Sequence, residues 1–204
     1  MSELLFDEST HTYTLDGKRL PSVTEICAPL TAGRYDNALA AYAAARGSRI
    51  HELTALYDLD ALPDEIEAEL VGYVKAWAAF CRDYRPVWER VEWPGWSIDG
   101  FAGTVDRIGL IDGERLAVDV KTAASLDRAA KVSLCCQTAA YAVMASETGL
   151  RMDGDNLGVQ LKKDGSYAVH NTEKIQKKYG FDARGLFYSL LAVRAAVKGD
   201  VPNA

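Results

Sequence analysis

Asp106 and the triplet Asp119-Val120-Lys121 are the residues whose types and spacing could do chemistry. They flank Asp112-Gly113, and Asp-Gly between two apolar runs predicts a hairpin turn because both residues tolerate positive φ. With that turn at the tip, Ile111 pairs with Glu114, and Asp106 lies opposite Asp119 with Cβ atoms about 5 Å apart. Like charges placed in this way destabilise a sheet. A divalent cation between the carboxylates would offset that cost.

The alternative is an ordinary exposed sheet face on which Lys121 offsets two aspartates. Alternation along the strand puts Asp119 and Lys121 on one face, with Val118 and Val120 on the other. An isolated D-x-K triplet often matches by chance. The interpretation therefore depends on what else the chain carries.

The composition is that of a globular protein of 204 residues, long enough for one domain with a substantial core. The net charge of −6 argues against a protein that coats nucleic acid along its whole surface, but a local binding strip remains compatible with it. Residues 58–69 are acidic, and a structural or inhibitory protein could use that face. Residues 162–184 hold six basic and three acidic side chains, typical of either a binding strip or a solvated face.

The chain has no apolar run of the ~20 residues that a membrane span needs, nor a secretory signal pattern. Its four cysteines lack CxxC spacing, which favours reduced thiols. We therefore expect a cytoplasmic protein without a membrane partner.

The elements that must position these residues follow from periodicity and turn residues. An N-terminal hairpin over 5–20 turns at Asp16-Gly17, and a capping box over 22–25 begins a helix. Further helices are predicted over 36–59, 64–84, 126–148 and 182–198. Strands are predicted between 87 and 122, with a Pro-Gly turn at 93–96, and in a hairpin of 157–161 with 167–171 that turns near Asp164-Gly165. This order predicts a mixed α/β or α+β fold.

Polar residues on two of these helices could join the site. His51 follows Gly47 by one turn, and a glycine inside a helix costs about 1 kcal/mol unless another group approaches closely. Gln137 and Tyr141 are four residues apart and share a helix face. Taken alone, each would be a packed or surface residue. Trp88, Trp93 and Trp96 could stack on bases, but core packing explains them at least as well.

The chain resembles the PD-(D/E)XK nuclease superfamily, specifically its RecB-like branch. The matching segments, in order, are Gly47-Ser48-Arg49-Ile50-His51, Gly103-Thr104-Val105-Asp106, Asp119-Val120-Lys121-Thr122 and Gln137-Thr138-Ala139-Ala140-Tyr141. Their order and spacing are similar to those of phage and bacterial exonucleases and of the mitochondrial genome maintenance exonuclease. Each motif is weak, but four in order are fairly specific.

The resemblance implies a fold with a restriction-endonuclease-like core, in which helices flank a central mixed sheet. We expect a single domain over 1–204, in which residues 1–85 supply an N-terminal hairpin and the helical segment that carries His51. Residues 86–204 would form the catalytic core.

The resemblance also implies roles for individual residues. Asp106, Asp119, His51 and the Val120 carbonyl would hold Mg²⁺ or Mn²⁺, and Lys121 would orient the attacking water or stabilise transition-state charge. Gln137 and Tyr141 would brace the site and contact the strand being cut. Further DNA contacts are predicted at Arg46, Arg49, Lys162 and Lys163.

Two departures qualify the resemblance. Val105 stands where the superfamily often has proline before its first aspartate. Some relatives hold an iron–sulfur cluster with three cysteines after the nuclease core, but no cysteine follows Cys136, so no cluster is expected.

The leading hypothesis is a metal-dependent DNA exonuclease of phage or bacterial recombination or repair. It would act on single strands or duplex ends, with a recombinase or single-strand-binding protein as a further partner. An endonuclease or RNase would use the same site. The competing class is a catalytically silent module that keeps the fold to bind DNA or a protein.

Overall fold

The computed structural model describes residues 3–7, 10–32 and 37–198. The strands, in chain order, are β1 (Leu4–Asp7), β2 (Thr12–Leu15), β3 (Lys18–Leu20), β4 (Val87–Ser97), β5 (Phe101–Ile111), β6 (Glu114–Lys121), β7 (Leu157–Leu161) and β8 (Tyr167–Asn171). The helices are α1 (Val23–Cys27), α2 (Asn37–Asp58), α3 (Val71–Tyr84), α4 (Arg128–Glu147), α5 (Thr172–Tyr179) and α6 (Ala183–Lys198). A 3₁₀ turn at Ala28–Leu30 extends α1.

A five-stranded mixed sheet in the order β4-β5-β6-β7-β8 forms the centre of the fold. Its neighbouring strands are antiparallel except β6 and β7, which are parallel and joined through α4. Strands β1 to β3 form a separate small antiparallel sheet. The predicted α/β fold with a restriction-endonuclease-like core is confirmed.

Helices cover both faces of the central sheet. Helices α1, α4, α5 and α6 pack on one face around residues such as Val105 and Ala117. Helices α2 and α3 pack on the other, against Val118, Val120 and Val159. Successive side chains of β6 point to opposite faces of the sheet and so contribute to the two cores in turn, as the sequence predicts. Among the described residues, no helix has both the length and the apolarity needed to cross a bilayer.

The Asp112-Gly113 hairpin is confirmed in position and register. Both residues have positive φ, 53° and 84°, as a type I′ turn requires. Ile111 pairs with Glu114, and the ladder continues to Arg107 and Val118. The capping box is also confirmed: Ser22 accepts from the Glu25 amide, and the Glu25 carboxylate accepts from the Ser22 amide.

Two expectations about elements were wrong. Pro94 and Gly95 lie inside β4 and not in a turn, because an edge strand tolerates the missing N–H of proline. The third helix begins at Val71 and not at 64, since Glu67 and Glu69 bind Arg49 and Tyr42 of α2.

The N-terminal hairpin is a three-stranded sheet, although its Asp16-Gly17 turn is present. The other predicted helices match within two residues; the predicted start of α2 at 36 lies outside the described residues. Helix α5 was not predicted.

Candidate metal and catalytic site

Asp106 lies where β5 and β6 separate. Regular pairing ends at Arg107 and Val118, one residue before Asp106 would pair with Asp119. Asp106 Oδ2 instead accepts a hydrogen bond of 2.6 Å from the Val120 amide. The carboxylate thus satisfies a backbone donor that the diverging strand leaves free. Both aspartates are buried, so the opening of the ladder holds two carboxylates away from bulk water.

His51 reaches this opening from α2. Its Nδ1 lies 3.3 Å from Asp106 Oδ1 and 3.7 Å from Glu92 Oε1. One potential ligand atom from each of these three residues falls within 4.8 Å of the other two. Imidazole nitrogen and carboxylate oxygen are common ligands of divalent cations. The structure therefore brings together two of the predicted ligands, His51 and Asp106, and adds Glu92.

The charges around His51 change its protonation. Burial alone would lower the pKa of His51, but Asp106 and Glu92 together raise that pKa to about 10. In turn His51 holds the pKa of Asp106 below its ordinary value, against the opposing effect of burial. A protonated imidazole thus supplies positive charge between two carboxylates. A cation that bound here through His51 would have to displace that proton.

Lys121 is held by two partners beside Asp106. Its Nζ lies 2.7 Å from Asp119 Oδ2 and donates a hydrogen bond of 2.9 Å to Gln137 Oε1. Burial alone would lower the pKa of Lys121, but Asp119 and Asp106 hold that pKa above its ordinary value, so the amine stays charged. Gln137 is fixed by donating to Ser133 Oγ at 3.3 Å. The lysine is therefore both charged and oriented.

Asp119 is the residue whose charge is least favoured in this arrangement. Burial raises the pKa of Asp119 to about 6, and Asp106 adds to the increase while Lys121 opposes it. Its Oδ2 is buried, and the Lys121 ammonium pairs with it at 2.7 Å. A carboxylate oxygen of this kind fits a cation ligand, because a buried charge without full pairing is costly.

Tyr141 is the second polar residue of α4 predicted for the site. It is buried, and burial raises its pKa well above the ordinary value. A Cβ atom at Gly103 would lie 3.1 Å from Tyr141 Cε1 and 3.1 Å from Val23 Cγ2, so the glycine makes room for the ring. The predicted role of the tyrosine in bracing the site stays a prediction. Its predicted contact with a nucleic-acid strand stays a prediction.

The residues predicted to bind DNA occupy two places. On α2, Arg46 packs on the rings of Tyr42 and Tyr73, and Arg49 forms ion pairs with Glu52 and Glu67. Lys162 and Lys163 follow β7 in the turn to β8. Because β6 and β7 are parallel and Lys121 pairs with Gln160, Lys162 lies near the C-terminal ends of these two strands.

The three tryptophans are partly buried and pack against the core, as their simpler interpretation predicts. Trp88 stacks on Trp77 with ring centroids 5.8 Å apart. Trp93 packs against the core on the α4 face, and Trp96 packs against the small N-terminal sheet. The four cysteines have free thiols.

Glu92 is the candidate ligand that sequence reasoning missed. The pairs Val91–Arg107 and Trp93–Val105 place Glu92 across from Asp106. Its φ of 44° is in the left-handed region, which is uncommon for a residue with a side chain. The signal was Asp99-Gly100: a hairpin tip there, instead of at Pro94-Gly95, gives this register.

These donors fit a divalent cation. The cluster offers one imidazole and two carboxylates, and Asp119 adds a second buried carboxylate beside Asp106, paired with Lys121. A small number of carboxylates leaves positions open for water and substrate oxygens, as Mg²⁺ sites require. Histidine is a softer ligand that suits Mn²⁺ as well.

Comparison with known families agrees with this geometry. A search of curated proteins gave no significant match. A family model described as the PD-(D/E)XK nuclease superfamily matches residues 24–186, which include every residue of the candidate site. The match covers well over half of the chain and does not distinguish the branches of the superfamily. The chain belongs to the PD-(D/E)XK nuclease superfamily.

Proposed function

We propose that this protein is a Mg²⁺- or Mn²⁺-dependent deoxyribonuclease that acts as an exonuclease in phage or bacterial DNA recombination or repair. The observation that carries the proposal is the approach of His51 Nδ1 to Asp106 Oδ1, at 3.3 Å, beside a charged lysine. Superfamily membership supplies the nuclease class. The cytoplasmic location and a recombinase or single-strand-binding partner belong to the same proposal.

Hydrolysis of a phosphodiester needs charge neutralisation, an activated water and stabilisation of the developing charge. A bound divalent cation would supply Lewis acidity at the phosphate and a lower pKa for water. His51, Glu92, Asp106 and Asp119 would hold it, with the Val120 carbonyl as a further ligand. The residues that bind the cation thus come from α2, β4, β5 and β6.

Lys121 acts on the reacting groups without binding the cation. Its ammonium, held by Asp119 and Gln137, donates hydrogen bonds to the attacking water or to a phosphate oxygen. Because both partners fix the amine, little reorientation is needed as charge develops on the phosphate. Gln137 positions Lys121, and Tyr141 supports Gln137 from inside α4 and contacts the strand being cut.

The strand would approach along α2 and the end of the sheet. Arg46, Arg49, Lys162 and Lys163 contribute positive charge there, and Gly47 leaves a small surface facing Thr122. Arg49 is already paired with two glutamates, so Arg46 and the two lysines carry more of the phosphate contacts in this proposal.

The proposal is tested with 5′- and 3′-labelled DNA, single-stranded and duplex, in Mg²⁺, Mn²⁺ or EDTA. Wild type is compared with Asp119→Ala and Lys121→Ala, and a closed circular duplex and an RNA of the same sequence are included. We expect metal-dependent release of nucleotides from DNA ends, lost in both variants, with the circle and the RNA intact.

Other results of this experiment would contradict the proposed exonuclease or replace it with another function. Cleavage that persists in EDTA or in both variants would contradict the proposal of a metal-dependent nuclease that uses Asp119 and Lys121. Cutting of the circle or of RNA would keep the site but replace the exonuclease by an endonuclease or an RNase. DNA binding without cleavage under any condition would favour the silent module.

A further inference from the structure

A cavity of about 490 Å³ lies at the β8 edge of the sheet, outside the residues proposed for catalysis. Its charged lining comes from three lysines: Lys131 of α4 and Lys174 and Lys178 of α5. Among the residues that the structure describes, none of the three forms an ion pair with a carboxylate. The cavity is therefore a concave surface with three uncompensated positive charges.

Other groups of the lining suit an anionic ligand with an aromatic part. His170 and the rings of Tyr84 and Tyr179 contribute to the wall. Arg128 lies 4.9 Å from the centroid of the Tyr179 ring and adds a fourth positive charge beside the opening. Phosphates attract lysine and arginine, and bases stack on exposed aromatic rings. The chemistry matches a nucleic-acid strand.

Asn171 also lines the cavity, but its polar atoms are already used. Its Oδ1 accepts from the Lys174 amide and caps α5, and its Nδ2 donates to Asp155. Binding of an anion here would thus depend on the lysines.

Direct contacts connect this cavity with the candidate catalytic site. Lys121 pairs with Gln160 across the parallel strands β6 and β7. The Gln160 side chain contacts His170 Nε2 at 3.1 Å and donates to the Ala123 carbonyl at 2.7 Å. His170 is thus two strands away from β6, or about 10 Å at the usual strand spacing.

Positions along α4 give a similar distance between the cavity and Lys121. Lys131 precedes Gln137, the partner of Lys121, by six residues of α4, which corresponds to a rise of about 9 Å. At about 3.4 Å of rise per nucleotide, the cavity lies within about three nucleotides of Lys121. One strand can therefore reach both places.

We propose that the cavity lined by Lys131, Lys174 and Lys178 is a phosphate-binding subsite for the nucleic-acid strand whose bond is cut at Lys121. The proposal rests on the nuclease function proposed above and adds the path of the strand. It places the backbone at the β8 edge of the sheet and along α5, about 10 Å from β6. The subsite binds any sequence, because its charges read phosphates and not base edges.

The test compares two variants of equal charge. Lys174→Ala/Lys178→Ala removes two cavity lysines, whereas Lys75→Ala/Lys177→Ala removes two exposed helical lysines outside the lining, one of them paired with Glu173. Binding of a labelled 20-nucleotide oligo(dT) is measured by fluorescence anisotropy in EDTA over a range of salt concentrations. Binding without metal separates this subsite from cleavage. Equal melting temperatures show that both variants fold.

We expect the cavity variant to bind about tenfold more weakly than the control variant near 0.1 M salt. The slope of log K against log salt should fall in magnitude by about 1.4, because each lost phosphate contact on a single strand contributes about 0.7. The control variant should keep the wild-type slope.

Equal slopes and affinities in the two variants would overturn the proposal. The proposal would also fail if Lys174→Ala/Lys178→Ala abolished binding of thymidine 5′-monophosphate but left oligo(dT) binding unchanged. That result would identify the cavity as a site for a free nucleotide. If wild type binds the strand with the expected slope but cleaves no nucleic acid with Mg²⁺ or Mn²⁺, the subsite stands and the nuclease function fails.

Discussion

At the residue scale, the candidate site holds its charges at a cost in stability. Three acidic side chains, an imidazole and a lysine meet where β5 and β6 separate, and none of the five side chains is fully exposed. Such a group persists because each carboxylate has a cationic neighbour. The two residues that show the cost and its compensation most clearly are His51 and Asp119.

His51 predicts a pH dependence of stability without metal. Its folded-state pKa of about 10 lies above the unfolded value of about 6.5. The stabilisation from its proton is therefore complete below about pH 6.5 and is lost as the pH rises to about 10. We expect the free energy of unfolding in EDTA to fall by up to about 1.4 kcal/mol per pH unit across this window.

Urea titrations at several pH values measure this loss, and His51→Gln is the control. The variant lacks the titrating group, so its stability should change less between about pH 6.5 and 10. Equal slopes in wild type and His51→Gln would contradict the pairing of His51 with Asp106 and Glu92.

Asp119 predicts a second loss of stability with rising pH, in a more acidic window. Its pKa of about 6 in the folded protein exceeds the ordinary value of about 3.9. The cost of its charge is thus absent below about pH 4 and complete above about pH 6. In EDTA at pH 7, Asp119→Asn should be more stable than wild type by about 1–3 kcal/mol, with the difference shrinking towards pH 4. The same variant should lose Mn²⁺ binding, measured by calorimetry.

The control for Asp119 is Asp112→Asn at the exposed hairpin tip, which makes the same chemical change without burial. That variant should leave both stability and Mn²⁺ affinity near wild type. A destabilised Asp119→Asn that still binds Mn²⁺ would show that Asp119 serves the fold and not the cation.

At the element scale, α2 delivers His51 through a buried ion pair with β5. Arg107 is fully buried and donates to Asp58 Oδ2 at 2.6 Å and to Glu92 Oε1 at 2.9 Å. Its guanidinium also lies 5.2 Å from the centroid of the Trp77 ring on α3. Burial raises the pKa of Asp58 in spite of Arg107, so removal of the arginine would leave a costly carboxylate.

Arg107→Leu should therefore destabilise the protein by about 3–5 kcal/mol, because it leaves Asp58 buried and unpaired. Arg107→Leu/Asp58→Leu should recover most of that loss, since paired buried charges are often replaceable by apolar residues. Chemical denaturation of the two single variants and the double variant gives the coupling. Additive losses would contradict a direct pair between α2 and β5.

Substitution of Gly47 should change the stability of α2 and the binding of oligonucleotides in opposite directions. A Cβ atom there would meet only the Thr122 hydroxyl within 4 Å, at 3.7 Å, so the described chain leaves room for alanine. Gly47→Ala should raise the stability of the helix by about 1 kcal/mol. If the open surface serves a strand, the variant should bind oligonucleotides more weakly; unchanged binding would assign the glycine no role in recognition.

How much of each element was predictable depended on whether its signals were local. The Asp112-Gly113 register and the capping box at Ser22 were read correctly because neighbouring residues determine both. The position of β4 depends on pairing with β5, which made Pro94-Gly95 a false turn signal and hid Glu92. Helix α5 carries an Asn171 cap and a Gly180 end, but eight residues give too short a periodicity to detect.

The site was predictable in part for the same reason. Motif order and the hairpin register located Asp106, Asp119 and Lys121, and periodicity gave Lys121 and Asp119 a shared face. The hydrogen bond from Val120 to Asp106, by contrast, exists because the strands separate one residue beyond the paired region. Nothing local in the sequence specifies that separation.

At the scale of the whole molecule, a chain of net charge −6 still carries local groups of positive charge. The acidic residues of 58–69 partly compensate α2, as the pairing of Arg49 with Glu67 illustrates. Lys131, Lys174 and Lys178 line the cavity beside β8 and α5, and Lys162 follows β7 at the end of the sheet that carries Lys121. This distribution favours local binding of nucleic acid over coating of the whole surface.

The central claim is that Lys121 promotes cation-dependent cleavage of DNA without itself binding the cation. Its most direct test measures single-turnover cleavage of labelled DNA in Mn²⁺ by wild type and by Lys121→Gln, together with the Mn²⁺ affinity of each. We predict cleavage by wild type only when Mn²⁺ is present, a loss of about 10²–10³-fold in Lys121→Gln, and an Mn²⁺ affinity that the substitution does not weaken. Cleavage by wild type in EDTA, or an equal rate in Lys121→Gln, would contradict the account.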